Sequence, residues 1–214
     1  MGDGKGCTYL GKLYRDGKGV SQDYQKAAEL YNKACDMGDG KGCTLLGKAY
    51  AIGKGVQKDY QKAAIMSNEA CGMGDGEGCF FLGALYYDGK GVPQDYRKAA
   101  IMFNEACDMG YEKGCTSLGF LYYTGKGVQK DYQKAAIMLN KACDMGDGES
   151  CTYLGAFYAI GKGVSQDYQK AAELFNKACD MGDGKGCNLL GELYRYGKGV
   201  SQDYQKAAEL FNKA

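Results

Sequence analysis

Eleven cysteines fall into two arithmetic series. Cys7, Cys43, Cys79, Cys115, Cys151 and Cys187 step by 36 residues, and so do Cys35, Cys71, Cys107, Cys143 and Cys179. A period kept without one insertion makes the chain six copies of one unit, read as 1–36, 37–72, 73–108, 109–144, 145–180 and 181–214. Units of this size cannot bury an apolar face alone; each buries it against its neighbours in a stack. The 214 residues are therefore read as a single repeat domain rather than divided by length.

Within the second copy, "GDGKGCTLLGKAYAIG" sets Cys43, Leu46 and Tyr50 at spacings of three and four, one face of a helix. After "GKGV", whose glycines suit a helix end and a turn, Asp59 stands at an N-cap position and "YQKAAIMSNEAC" runs on as a second helix. Each copy is thus a helical hairpin. Gly38, Gly74, Gly110, Gly146 and Gly182 follow a methionine where a left-handed helix cap is wanted. Gly47 on the first helix, with Ala63 and Ala64 on the second, lets the two backbones approach while Leu46 and Tyr50 fill the space between them.

Composition removes several classes of function. Basic and acidic residues number 27 and 26, so no global field recruits nucleic acid. No apolar run approaches the roughly 20 residues of a membrane helix, so no membrane insertion is expected. Histidine is absent, which removes the commonest general base and zinc's usual nitrogen ligand. No cofactor is expected.

The pattern L-G-x-x-Y, G-x-G-V, D-Y, K-A-A and a closing M-G resembles the Sel-one-like repeat, a relative of the tetratricopeptide repeat. The cysteine pair eight positions apart is similar to the Helicobacter cysteine-rich proteins. The resemblance covers all six copies. It implies an all-α, α/α superhelical solenoid whose concave face is lined by the first helix of each hairpin, with one disulfide per repeat junction.

The cysteine spacing agrees with that implication. Separations of eight and 28 are not the paired knuckles that wrap zinc, no C-x-x-C motif is present, and the glycines do not match a phosphate loop. A cysteine ending one helix and a cysteine entering the next lie side by side across a turn. The expected bridges are Cys35–Cys43, Cys71–Cys79, Cys107–Cys115, Cys143–Cys151 and Cys179–Cys187, leaving Cys7 as a free thiol and no metal site. Disulfides point to a secreted or periplasmic location, although no signal peptide is present in this chain. The near identity of the copies, and two ends that fall at the same phase of the repeat, also fit an excised or designed array with no natural ligand.

Differences between copies concentrate on one face of the first helix. That face carries Lys12 and Arg15, then Lys48, then Phe80 and Tyr87, Phe120 and Tyr123, and at the far end Glu192 and Arg195. Aromatic residues between charged ends suit an extended peptide or a helix laid along a groove, which makes a monomeric protein- or peptide-binding scaffold the expected function. Packing of those aromatics between repeats is the competing reading. The six asparagines at the register of Asn32 are expected to form a ladder between repeats. A second function follows from the resemblance alone, since penicillin-binding or weak β-lactamase activity is ascribed to some of the cysteine-rich relatives. No serine here begins an S-x-x-K motif, and no catalytic residue is assigned.

Overall fold

The computed structural model describes residues 3–214, which form twelve α-helices, two per repeat. Among the described residues the first compact unit runs to Gly114 and the second spans 115–214. The first unit holds α1 (Gly4–Asp16), α2 (Tyr24–Asp36), α3 (Gly40–Ile52), α4 (Tyr60–Gly72), α5 (Gly76–Asp88) and α6 (Tyr96–Asp108). Helix α7 (Glu112–Thr124) contains the boundary. The second unit continues with α8 (Tyr132–Asp144), α9 (Gly148–Ile160), α10 (Tyr168–Asp180), α11 (Gly184–Tyr196) and α12 (Tyr204–Lys213).

Local chemistry sets the helix ends. Asp59 has an extended backbone and its carboxylate accepts hydrogen bonds from the backbone N–H groups of Gln61 and Lys62, which no residue inside α4 could satisfy. Asp23, Asp95, Asp131, Asp167 and Asp203 do the same for the other second helices. After each second helix but the last the chain reverses at a glycine with positive φ, from 82° at Gly74 to 100° at Gly146, as the sequence predicts.

Within each unit a helix packs against those before and after it, and the first helices of successive hairpins also touch, α1 on α3 on α5 and α9 on α11. Alanines make the closest contacts: Ala63, Ala70, Ala99, Ala135, Ala142, Ala171 and Ala178 have no accessible surface. Leu46 is buried as expected, and Tyr50 packs partly buried at the edge of the same cluster. Gly42 shows why the first helix tolerates glycine. A Cβ there would stand 2.6 Å from the Cβ of Ala34, so the residue buys a close approach of α2 and α3 at the cost of helix propensity.

Disulfides close the junctions. Cys35–Cys43, Cys71–Cys79, Cys143–Cys151 and Cys179–Cys187 are formed with Cα atoms 4.5–4.7 Å apart, Cys107 and Cys115 are each disulfide-bonded, and Cys7 is a free thiol. Closing a loop of this length contributes about 2.5 kcal/mol in the chain-entropy account.

The repeated asparagine differs from expectation. Asn32, Asn104, Asn140 and Asn176 each donate to the aspartate four residues later on the same helix, at 3.0–3.1 Å, and make no ladder between repeats. Their helix positions face solvent, where an i, i+4 partner is the nearest acceptor.

Candidate binding face

At the register of Phe80, which was expected on the variable face, three copies carry a threonine bonded across the next junction. Thr8 and Thr152 are buried and donate to Asp39 and Asp183, and Thr116 donates to Asp147 at 2.7 Å. In the third copy Phe80 takes this position and Tyr111 takes the aspartate's. Their rings meet at a centroid distance of 5.2 Å, and Phe80 also lies 5.6 Å from Phe103. Burial pushes the Tyr111 hydroxyl up to about 12, with the carboxylate charges of Glu77, Glu112 and Asp75 adding to the shift.

The other expected ligand residues also have partners inside the protein. Lys12 lies over the ring of Tyr9 at 5.2 Å. Arg15 is held in a two-pronged pair by Asp16, at 2.7 and 3.0 Å. Lys48 of α3 and Lys41 both reach Glu77 of α5. Burial alone would raise the Glu77 carboxyl, but the hydrogen bonds from the two lysines outweigh it and hold the group below the usual carboxylate range. Tyr87 meets Tyr96 edge-on at 5.1 Å, and Phe120 meets Tyr153 edge-on at 4.8 Å. Tyr123 lies between Tyr132 and Phe157, at 5.6 and 5.7 Å. Glu192 pairs with Arg195 at 3.6 Å. Of the aromatic four, Phe120 is the most open, with 37% of its surface exposed.

A cavity of about 180 Å³ opens between α1, α2 and α3. Its lining is almost wholly apolar, with Ala27, Ala28, Leu45 and Ala49 below and Tyr24 and Ile52 as walls. Arg15, Lys48 and Lys54 stand at its edge. Sequence comparison named Arg15 and Lys48 but not the cavity. Its signal lay at Ala49, whose counterparts are Leu13, Leu85, Leu121, Phe157 and Leu193.

Carboxylates also approach two of the bridges. Glu69 lies 3.6 Å from the Cys35 sulfur and Glu105 lies 3.3 Å from that of Cys71. These sulfurs are in disulfides and offer no thiolate, so the groups do not form a metal-ligand set in this state.

Three comparisons place the chain. A protective antigen of uropathogenic Escherichia coli strains, displaying an SLR fold, is 32% identical and superposes with a TM-score of 0.91 over 99% of this chain, which spans 45% of that antigen's length. A Sel1 repeat protein from Oxalobacter formigenes is 24% identical over 99% of this chain and 84% of its own, with a TM-score of 0.84, a likeness of fold. Helicobacter pylori cysteine rich protein B is 36% identical over 62% of this chain and 96% of its own, with a TM-score of 0.52. No curated protein matches the chain. The Sel1 repeat profile matches residues 4–39, 40–75, 76–111, 113–147, 148–183 and 184–214, a phase that starts each unit at its first helix. The chain belongs to the Sel1 repeat family, a helical-repeat scaffold that generally serves protein interaction.

Proposed function

We propose that the protein is a non-catalytic scaffold that binds an extended peptide or a helix along the face lined by the first helices, the face expected to be concave. The observation that carries this reading is where near-identical repeats differ. At the register of Lys12 the copies carry Lys12, Lys48, Ala84, Phe120, Ala156 and Glu192, all exposed or half-buried, while the leucine at the register of Leu46 and the alanines at those of Ala63 and Ala64 are the same in every copy. A fold needs no such variety on a solvated face, whereas recognition of a non-repetitive ligand does. The junction disulfides fit an oxidising compartment, so the proposed location is secreted or periplasmic. Among the described residues no helix is long and apolar enough to cross a membrane.

Selection of peptides from a random display library on the oxidised protein tests the reading. Phe120→Ala, at an exposed position with one ring partner, is expected to weaken the selected peptides at least tenfold while the thermal melt moves little. A library that yields no binder, or binders indifferent to Phe120, would reject this face. Tyr123 is less suitable for the test, since its packing against Tyr132 and Phe157 makes it part of the fold.

A further inference from the structure

Repeats share one backbone, so a side chain present in one copy and missing from another shows what the space between them holds. In the second unit Tyr123 fills the space over Tyr132 and against Phe157. Lys162 covers both phenols, 4.6 Å from the Tyr123 ring centre and 4.5 Å from that of Tyr132, and its ammonium donates a 3.2 Å hydrogen bond to the Tyr123 hydroxyl.

Three periods earlier the counterparts are Arg15, Tyr24, Ala49 and Lys54. Tyr24 and Lys54 are unchanged in kind and in arrangement: the Lys54 ammonium stands 4.8 Å from the Tyr24 ring centre and 3.5 Å from its hydroxyl. The two residues that would complete the cluster are not aromatic. Ala49 replaces a phenyl ring, and Arg15 replaces a phenol and is held by Asp16. What results is the apolar cavity of about 180 Å³. A dry cavity of about 150 Å³ suffices for a benzene ring. Tyr31 also lines it, and the Tyr31 hydroxyl is buried with no hydrogen-bond partner, an atom that Phe103, Phe175 and Phe211 lack at the same register.

We propose that this cavity receives one aromatic side chain, tyrosine in preference, from a peptide lying on the first-helix face; it deepens the peptide-binding reading and rests on it. The incoming ring takes the place that Tyr123 occupies in the second unit. It lies on Ala27, Ala28 and Ala49, meets Tyr24 as Tyr123 meets Tyr132, and its hydroxyl accepts a hydrogen bond from Lys54 as that of Tyr123 does from Lys162. The chain thus carries in its fourth copy the contacts that its first two copies offer to a ligand.

N-acetyltyrosinamide is the probe, titrated into the oxidised full chain and followed by methyl and aromatic NMR. Shifts are expected at Ala27, Ala28, Ala49, Ile52 and Tyr24, with N-acetylleucinamide at least tenfold weaker. Ala49→Leu copies Leu85 and Leu193, and Arg15→Tyr with Ala49→Phe copies Tyr123 and Phe157, so both variants place residues that this fold already accepts. Each is expected to raise the Tm by about 2–6 °C and to weaken the probe at least tenfold. Unchanged probe binding in a folded variant, shifts centred elsewhere, or no shift at all would overturn the proposal. The readouts separate from those of the larger reading: library peptides that need Phe120 but ignore Ala49→Leu reject the cavity alone, and probe binding without any library binder rejects the face alone.

Discussion

Two kinds of junction close the same backbone turn. In three copies a threonine after the first helix's cysteine donates to the aspartate that precedes the next first helix, as Thr152 does to Asp183. Between the third and fourth copies both partners change together, and the Phe80 ring packs tilted against that of Tyr111. The polar pair links two repeats with one charge-assisted hydrogen bond and leaves the aspartate near the helix N-terminus, where its charge complements the helix dipole. The aromatic pair gives up the carboxylate, keeps Glu112 in the first turn, and buries ring surface instead. The chain carries both chemistries and no mixed pair. The second copy has the polar residues, Thr44 and Asp75, without the bond between them. The Thr44 hydroxyl is buried with no partner, while Asp75 is turned to the backbone N–H groups of Glu77 and Gly78.

The covalent link is common to both kinds of junction, and breaking it carries the largest expected effect. Replacing Cys143 and Cys151 together by alanine should cost about 2.5 kcal/mol, or about 5–10 °C in Tm for a chain of this size. A melt that does not move would show that hydrogen bonding and packing close the turn unaided. Next comes the exchange of one junction chemistry for the other. Phe80→Thr and Tyr111→Asp should each cost about 2 kcal/mol alone, and the double variant should cost at least about 1 kcal/mol less than their sum, measured by denaturant unfolding. Strict additivity would dissolve the pairing. A smaller contrast sets Thr152→Val, which loses its bond to Asp183 and about 1 kcal/mol, against Thr44→Val, which removes an unpaired hydroxyl and should be neutral or stabilising. Equal losses at the two sites would reverse the assignment of which threonine is bonded.

The smallest effect concerns the contact between α3 and α5. Because the folded pKa of Glu77 lies below its unfolded value, its contribution is present at neutral pH and is lost as the pH falls through the folded value. Glu77→Gln should therefore lower the Tm by a few degrees at pH 7 and by much less near pH 3. A loss independent of pH would mean that the lysines are held by something other than this carboxylate.

The hairpins, their caps and their bridges could be read from the chain because each is local. Asp59 caps a helix two residues away, and Cys35 meets Cys43 across eight. The candidate site was legible in its register and not in its contacts. Lys48, Phe80 and Tyr123 stand on the expected helices, but their partners Glu77, Tyr111 and Phe157 lie about one repeat further on, where spacing along the chain no longer gives distance. The asparagine ladder failed for the opposite reason: a partner four residues away on the same helix competes better than one in the next repeat.

By itself the sequence determines the unit, its period, the two helices and the covalent turn between units, because all of these follow from residues within one repeat of each other. Only the tertiary structure decides which variable residues are consumed by neighbours and which space stays open. An alanine at position 49 is unremarkable in a helix and reads as core. It becomes a cavity only when α1 and α2 close around it with an arginine turned aside, since a void is a property of three packed helices and of no single one.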